Sequence, residues 1–114
     1  MKKILLIGAS SDICKQLYKD FNAYYEFVLL SSNNENSDYQ NFDILNRQTF
    51  PEISDIDGIV YFPGTINLKP FERFKEDDFT DDYKINVKGL INVLQFYKSS
   101  LNRGSSVVCF STVA

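Results

Sequence analysis

The sequence predicts a doubly wound α/β domain, with a mostly parallel sheet in the strand order 3-2-1-4-5. Three observations predict it. Short, unbroken apolar runs at residues 4–7, 27–30, 58–62 and 107–110 read as strands buried on both faces, the habit of parallel sheets. Segments with apolar residues at helical spacing alternate with these runs. The first run ends in Gly8, followed by Ala9, Ser10, Ser11 and Asp12, which reads as a tight turn opening a helix.

The elements follow in order. Residues 4–7 form the first strand. Ser10, Ser11 and Asp12 are good helix caps, and Ile13, Cys14, Leu17, Tyr18 and Phe21 then recur at helical spacing. Residues 27–30 form the second strand and end in Ser31-Ser32-Asn33-Asn34, with a polar stretch to Ser37. A weaker third strand is predicted over 39–45, with Phe42, Ile44 and Leu45 around Asp43. A short helix over 46–53 is interrupted by Pro51. Residues 58–62 form the fourth strand, closed by Pro63-Gly64.

After a connecting segment, 65–75, comes the longest predicted helix, over 76–101. Phe79, Tyr83, Val87, Leu90, Leu94, Tyr97 and Leu101 step by three or four along one face. Ile85, Ile91 and Phe96 add apolar surface on other faces, so this helix is expected to be covered on more than one side. Lys98 and Arg103 suit its C-terminal end, and Gly104 is the expected C′ residue. Residues 107–110 form the fifth strand.

Composition fits this reading. The chain has 114 residues, with 44% hydrophobic and 24% charged, near the globular average. Ten Phe and seven Tyr supply large core pieces. One domain over 1–114 is expected, with no internal repeat and no linker. The net charge is −3 and no block of Lys and Arg appears, which speaks against nucleic acid as a partner. Glu76, Asp77, Asp78, Asp81 and Asp82 read as the acid-rich start of the long helix rather than as a metal site, and the chain has no His. Two cysteines, Cys14 and Cys109, make neither a disulfide framework nor a CxxC motif, so a cytoplasmic setting is expected. Lys2-Lys3 before the first apolar run only faintly mimics a signal peptide, and no stretch is long enough to span a membrane.

In open α/β sheets, ligands bind beyond the carboxyl ends of the strands, where the strand order reverses. That edge carries Gly8–Asp12, Ser31–Asn33, Asp43, Phe62–Gly64 and Ser111-Thr112. Gly8 permits close backbone approach, and the amides that open a helix attract phosphate oxygens. Ser10 and Ser11 add hydroxyl donors. A well-capped turn that binds nothing has the same local sequence.

The motifs then add a resemblance. Ile7-Gly8-Ala9-Ser10-Ser11-Asp12-Ile13-Cys14 resembles the TGxxxGxG segment of the short-chain dehydrogenase/reductase family. Phe42-Asp43-Ile44-Leu45 resembles the family's DV segment after the third strand, and Ile85-Asn86-Val87-Lys88-Gly89 its NVxG segment. Residues 107–114 resemble the strand that carries its active-site serine. The four segments stand in family order over nearly the whole chain.

The resemblance implies a Rossmann-like fold and an NAD(P)-dependent oxidoreductase that moves a hydride between nicotinamide and a carbonyl or alcohol substrate. It places Gly8, Ser10, Ser11, Asp12 and Ile13 along the pyrophosphate and nicotinamide side of the cofactor. Asp43 would bond the adenine amino group with Ile44 beside it. Phe62, Pro63 and Gly64 would border the adenosine ribose. Asn86 matches the Asn of the proton relay, and Thr112, or else Ser111, matches the active-site serine. At the end of the second strand, Ser31, Ser32 and Asn33 stand where an acidic residue would select NAD, which leans the reading to NADP. No Arg stands there to bind a 2′-phosphate, and Glu35 and Asp38 lie close by in sequence. The long helix would pair with a second copy in a homo-oligomer.

The sequence also departs from the pattern. Cys14 replaces the third Gly, where helix and strand come close, and Asp12 replaces the second. The Tyr61-Phe62-Pro63-Gly64 segment lacks the Asn residues of NNAG. The family's Tyr-x-x-x-Lys pair is absent from these residues, which suggests a chain truncated after the fifth strand and inactive alone. These departures also suit a non-catalytic dinucleotide-binding module. A receiver-type signalling domain fits worse, since the first strand's end lacks the carboxylates that hold Mg²⁺. A phosphotransfer domain with a cysteine after its first strand fails too, because Gly8 stands there.

Overall fold

The structure is a computed structural model of the 114-residue chain. It describes residues 1–32, 37–63, 73 and 75–110, with residues 78, 79 and 82 described by their backbone alone. Five strands form one sheet: β1 (Lys3–Ile7), β2 (Glu26–Ser31), β3 (Gln40–Asn41), β4 (Ile56–Tyr61) and β5 (Leu101–Cys109). Their order is β3-β2-β1-β4-β5 and every pairing is parallel. This is the predicted topology. Helix α1 (Asp12–Phe21) joins β1 to β2.

The sheet's apolar runs divide between its faces because alternate side chains of a strand point to opposite sides. Leu5 and Ile7 of β1, Leu30 of β2, and Ile59 and Tyr61 of β4 share one core with Phe42, Phe50, Val93 and Tyr97. Leu6 and Leu29 share the other with Ala9 and Cys14. In the first core Phe42 stacks on Phe50 at 4.3 Å, and the Tyr97 hydroxyl donates to the Pro51 carbonyl at 2.8 Å.

Several elements differ from expectation. The third strand is only two residues long. Asp43 ends it, because its carboxylate accepts from the Leu45 amide at 2.9 Å and its own amide donates to the Thr49 hydroxyl. These bonds replace a sheet ladder with a turn. The short helix predicted over 46–53 is a single 3₁₀ turn, Arg47–Thr49, capped by Asn46.

The long helix is not one regular helix. It comprises α2 (Glu76–Tyr83), a π turn (Lys84–Lys88), α3 (Gly89–Tyr97) and a 3₁₀ turn (Lys98–Ser100). A π turn inserts one residue and rotates the faces on either side of it relative to each other. The buried residues of α3 are Gly89, Asn92, Val93 and Tyr97, whereas Tyr83 and Val87, predicted on the same face, are exposed. Leu101 belongs to β5, where it pairs with Ile56, so the helix ends before it. Gly104 is correspondingly not a helix cap. It lies in a bulge of β5 with φ +82°, between the pairs Ile56–Leu101 and Gly58–Ser106.

Candidate functional site

β1 lies between β2 and β4, so chain connections leave it in opposite directions and open a crevice beyond its carboxyl end. A cleft of about 370 Å³ occupies that position. The turn after β1 builds one wall. Gly8 has φ +85°, and a Cβ there would stand 3.0 Å from Pro63 Cδ, so both conformation and close approach require glycine. The amides of Gly8 and Ala9 donate to the Leu30 carbonyl at 2.9 and 3.1 Å, which ties the turn to β2.

Helix α1 starts at this wall. The Ser11 amide donates to the Gly8 carbonyl, and the Ser11 hydroxyl accepts from the Cys14 amide at 3.1 Å. The amides of Asp12 and Ile13 remain without an intrahelical acceptor, as the geometry of a helix start requires. They are the groups through which the helix dipole favours an anion.

The cleft is lined by Gly8, Ser10, Ser11, Ser31, Ser32, Asp43, Ile44, Phe62 and Pro63 among the residues singled out from sequence. Ser31 is buried and Ser32 exposed. Asp43 presents its carboxylate with one oxygen engaged by the Leu45 amide. The Asp12, Ile13 and Asn86 side chains are not in the lining. Asp12 and Ile13 are exposed on α1, and Asn86 is exposed in the π turn. Asn33, Gly64, Ser111 and Thr112 lie outside the described residues.

Leu30, Phe42 and Ile85 also line the cleft and were not singled out. Each stands next to a residue that was: Leu30 before Ser31, Phe42 before Asp43, Ile85 before Asn86. The polar motif residue drew notice, and the apolar neighbour completes the wall.

The electrostatics are sparse. Asp43 is the one charged side chain among the described lining residues, and no Lys or Arg joins it. An anion here would therefore be held by backbone amides, hydroxyls and the helix dipole. Among the described residues no cluster of three or more His, Cys, Asp or Glu could hold a metal ion.

Cys14, a departure from the glycine pattern, is fully buried with Leu6, Ala9 and Leu29. Burial pushes its thiol up to about 11. Its position near a helix N-terminus would lower it, and burial wins. Cys14 is thus a small packing residue where α1 meets the sheet.

No family model and no curated protein matches the sequence. Solved structures do. The protein lin1944 from Listeria innocua superposes with a TM-score of 0.79 at 22% identity, covering 94% of this chain. A Burkholderia multivorans protein assigned to the short-chain dehydrogenases/reductases, with NADP bound, gives 0.80 at 17% over 97% of this chain. A short-chain dehydrogenase from Leptospira borgpetersenii with bound NAD⁺ gives 0.73 at 16% over 97%. The fold is that of the short-chain dehydrogenases. The chain spans 54%, 58% and 51% of those three chains respectively. The cleft described above lies at the switch point of this fold, the place where open α/β sheets bind ligands.

Proposed function

We propose that residues 1–114 form the dinucleotide-binding unit of an NAD(P)-dependent oxidoreductase of the short-chain dehydrogenase type. One observation carries the reading. The Gly8 turn, the start of α1, Ser31-Ser32 and Asp43-Ile44 converge on one cleft at the switch point. Two similar structures hold NADP and NAD⁺, which supports a nicotinamide dinucleotide as the ligand.

The cleft's residues fit such a group. Gly8, Ser10, Ser11 and the amides opening α1 would face the pyrophosphate, with Asp12 and Ile13 acting through their backbone. Asp43 would accept from the adenine amino group, flanked by Ile44. Phe62 and Pro63, with Gly64, would border the adenosine ribose. Ser31 and Ser32, with Asn33, leave no carboxylate at the end of β2, which favours NADP over NAD. When bound, the dinucleotide supplies or accepts a hydride at a carbonyl or alcohol carbon. Asn86 would support a proton relay, and Thr112 or Ser111 would hold the substrate oxygen.

A homo-oligomer would form through the helical run. Tyr83, Val87 and Ile91 are 55%, 42% and 43% exposed there, an apolar stripe at a spacing of four.

Fluorescence titration of this chain with NADPH and NADH tests the reading. Saturable binding is expected, tighter for NADPH. Absence of binding by either dinucleotide would sink the proposal. Carbonyl reduction is not expected from these residues alone, because they contain no Tyr-x-x-x-Lys.

A further inference from the structure

The π turn coincides with a hydrogen bond from the strand beneath it. In an α-helix the Gly89 amide would donate to the Ile85 carbonyl, four residues back. Here it donates to the Lys84 carbonyl, five back. The Ile85 carbonyl instead accepts from the Tyr61 hydroxyl at 2.6 Å.

Tyr61 ends β4 and is 2% exposed. Its hydroxyl reaches the helix because Gly89 lacks a side chain. A Cβ on Gly89 would stand 2.5 Å from that oxygen and 2.7 Å from Ile44 Cδ1. Tyr61, Gly89 and the Ile85 carbonyl are thus a matched set: hydroxyl, gap and acceptor. Burial, and secondarily the nearby Cys109, push the Tyr61 phenol far above its usual range, so it remains a donor throughout the working pH range.

We infer that Tyr61 is a positioning residue for the dinucleotide cleft: its hydroxyl holds the helix in π register and so presents Ile85 to the site. The inference rests on the dinucleotide reading of that cleft. Ile85 is the one described residue of the helical run in the cleft lining. Returning the turn to α register removes one residue from it, which rotates the preceding residues by about 100° about the helix axis. Ile85 would leave the cleft wall, and Asn86 would turn with it. Tyr61 occupies the first position of the segment in which this sequence lacks the NNAG asparagines, so the strand-end support takes another chemical form.

The test compares Tyr61→Phe with Tyr97→Phe. Each removes one buried hydroxyl that donates to a backbone carbonyl, Ile85 in one case and Pro51 in the other. Tyr97 is outside the cleft lining and serves as the control for a purely structural loss. The wild-type chain and both variants are titrated with NADPH, and amide hydrogen exchange is followed over residues 85–91.

Tyr61→Phe is expected to weaken NADPH binding about five- to tenfold, the scale of losing one apolar side chain from a pocket wall. Tyr97→Phe should change it less than about twofold. The exchange pattern over 85–91 should change in Tyr61→Phe more than in Tyr97→Phe, because the amides of the turn take new acceptors. Wild-type affinity in Tyr61→Phe, or an exchange pattern over 85–91 no more altered than in the control, overturns the inference while leaving the dinucleotide reading standing. If the wild-type chain binds no dinucleotide, the functional reading fails instead. The exchange comparison then decides alone whether Tyr61 sets the turn.

Discussion

On one face of the sheet, Leu5, Ile7, Ile59 and Tyr61 meet Phe50, Val93 and Tyr97 beneath the helical run and the 47–49 turn. On the other face, Leu6 and Leu29 meet Ala9 and Cys14, while Ile4, Phe27 and Val60 are only partly buried. Both rows are apolar, as parallel strands built for two covered faces should be. Their coverage differs. Helix α1 lies beside β1 and β2, and toward β4 and β5 the same face carries an open groove of about 370 Å³. Ile4, Phe27, Val60 and Val108 line it. Val108 is 48% exposed. Alternation in a strand therefore shows which side chains share a face, and leaves open how completely that face is covered.

Truncating each face should give unequal costs. Ile59→Ala removes a fully buried side chain from the closed core and should destabilise the chain by about 2–5 kcal/mol. Val108→Ala on the open face should stay within about 0.5 kcal/mol. Urea unfolding midpoints check both. Equal losses would break the comparison, because they would mean that Val108 packs as tightly as Ile59.

The same contrast explains what the sequence disclosed. The strands and the glycine turn were legible because they depend on local patterns (apolar runs, Gly8 and the serines that follow it), and the strand order followed from the fold class that they define. Ser11 caps α1 as its type suggests. The cleft's polar residues were legible for the same reason, since they sit at strand ends. The π turn was not. It arises from a tertiary bond between Tyr61 and the Ile85 carbonyl, and spacing within 76–101 carries no trace of a hydroxyl 24 residues earlier. The start of β5 was hidden likewise. Leu101 continues the helical spacing, and its pairing with Ile56 takes it into the sheet. Asp43 shows a third cause, in which a short polar side chain bonds its own backbone and shortens a strand.

The open half of the sheet is fastened at its lower end by Asp57. Its carboxylate accepts from the Asn102 side chain and from the Lys3 amide, both at 2.9 Å, bridging β1, β4 and the β5 bulge. These bonds, Asn102 first, hold its carboxyl below the usual carboxylate range. A depressed carboxyl contributes stability above its unfolded pKa and loses it as pH falls through the folded value. Wild type should therefore exceed Asp57→Asn in stability at neutral pH, and the gap should narrow on acidification below about pH 4. Denaturation midpoints from pH 7 down to pH 2 measure the gap. A gap that stays constant across that range would show that the carboxylate charge plays no part in holding β5.

The smallest effect compares one cysteine in the closed part of the α1 face with one at the end of β5. Cys14 is buried and Cys109 exposed. A thiol reacts as its thiolate, and with a pKa of about 11 Cys14 is ionised to about one part in a thousand at pH 8. Burial also keeps reagent from the sulfur. A disulfide reagent at pH 8 should therefore modify one thiol per chain rapidly. Cys109→Ser should abolish that fast phase, and Cys14→Ser should leave it intact. Both thiols should react at one rate in denaturant. Because neither replacement needs to alter the cleft, the measurement reads the two environments directly. A fast phase that survives Cys109→Ser would place Cys14 within reach of solvent, and would move the boundary between the closed and open parts of this face to the α1 side of Leu6.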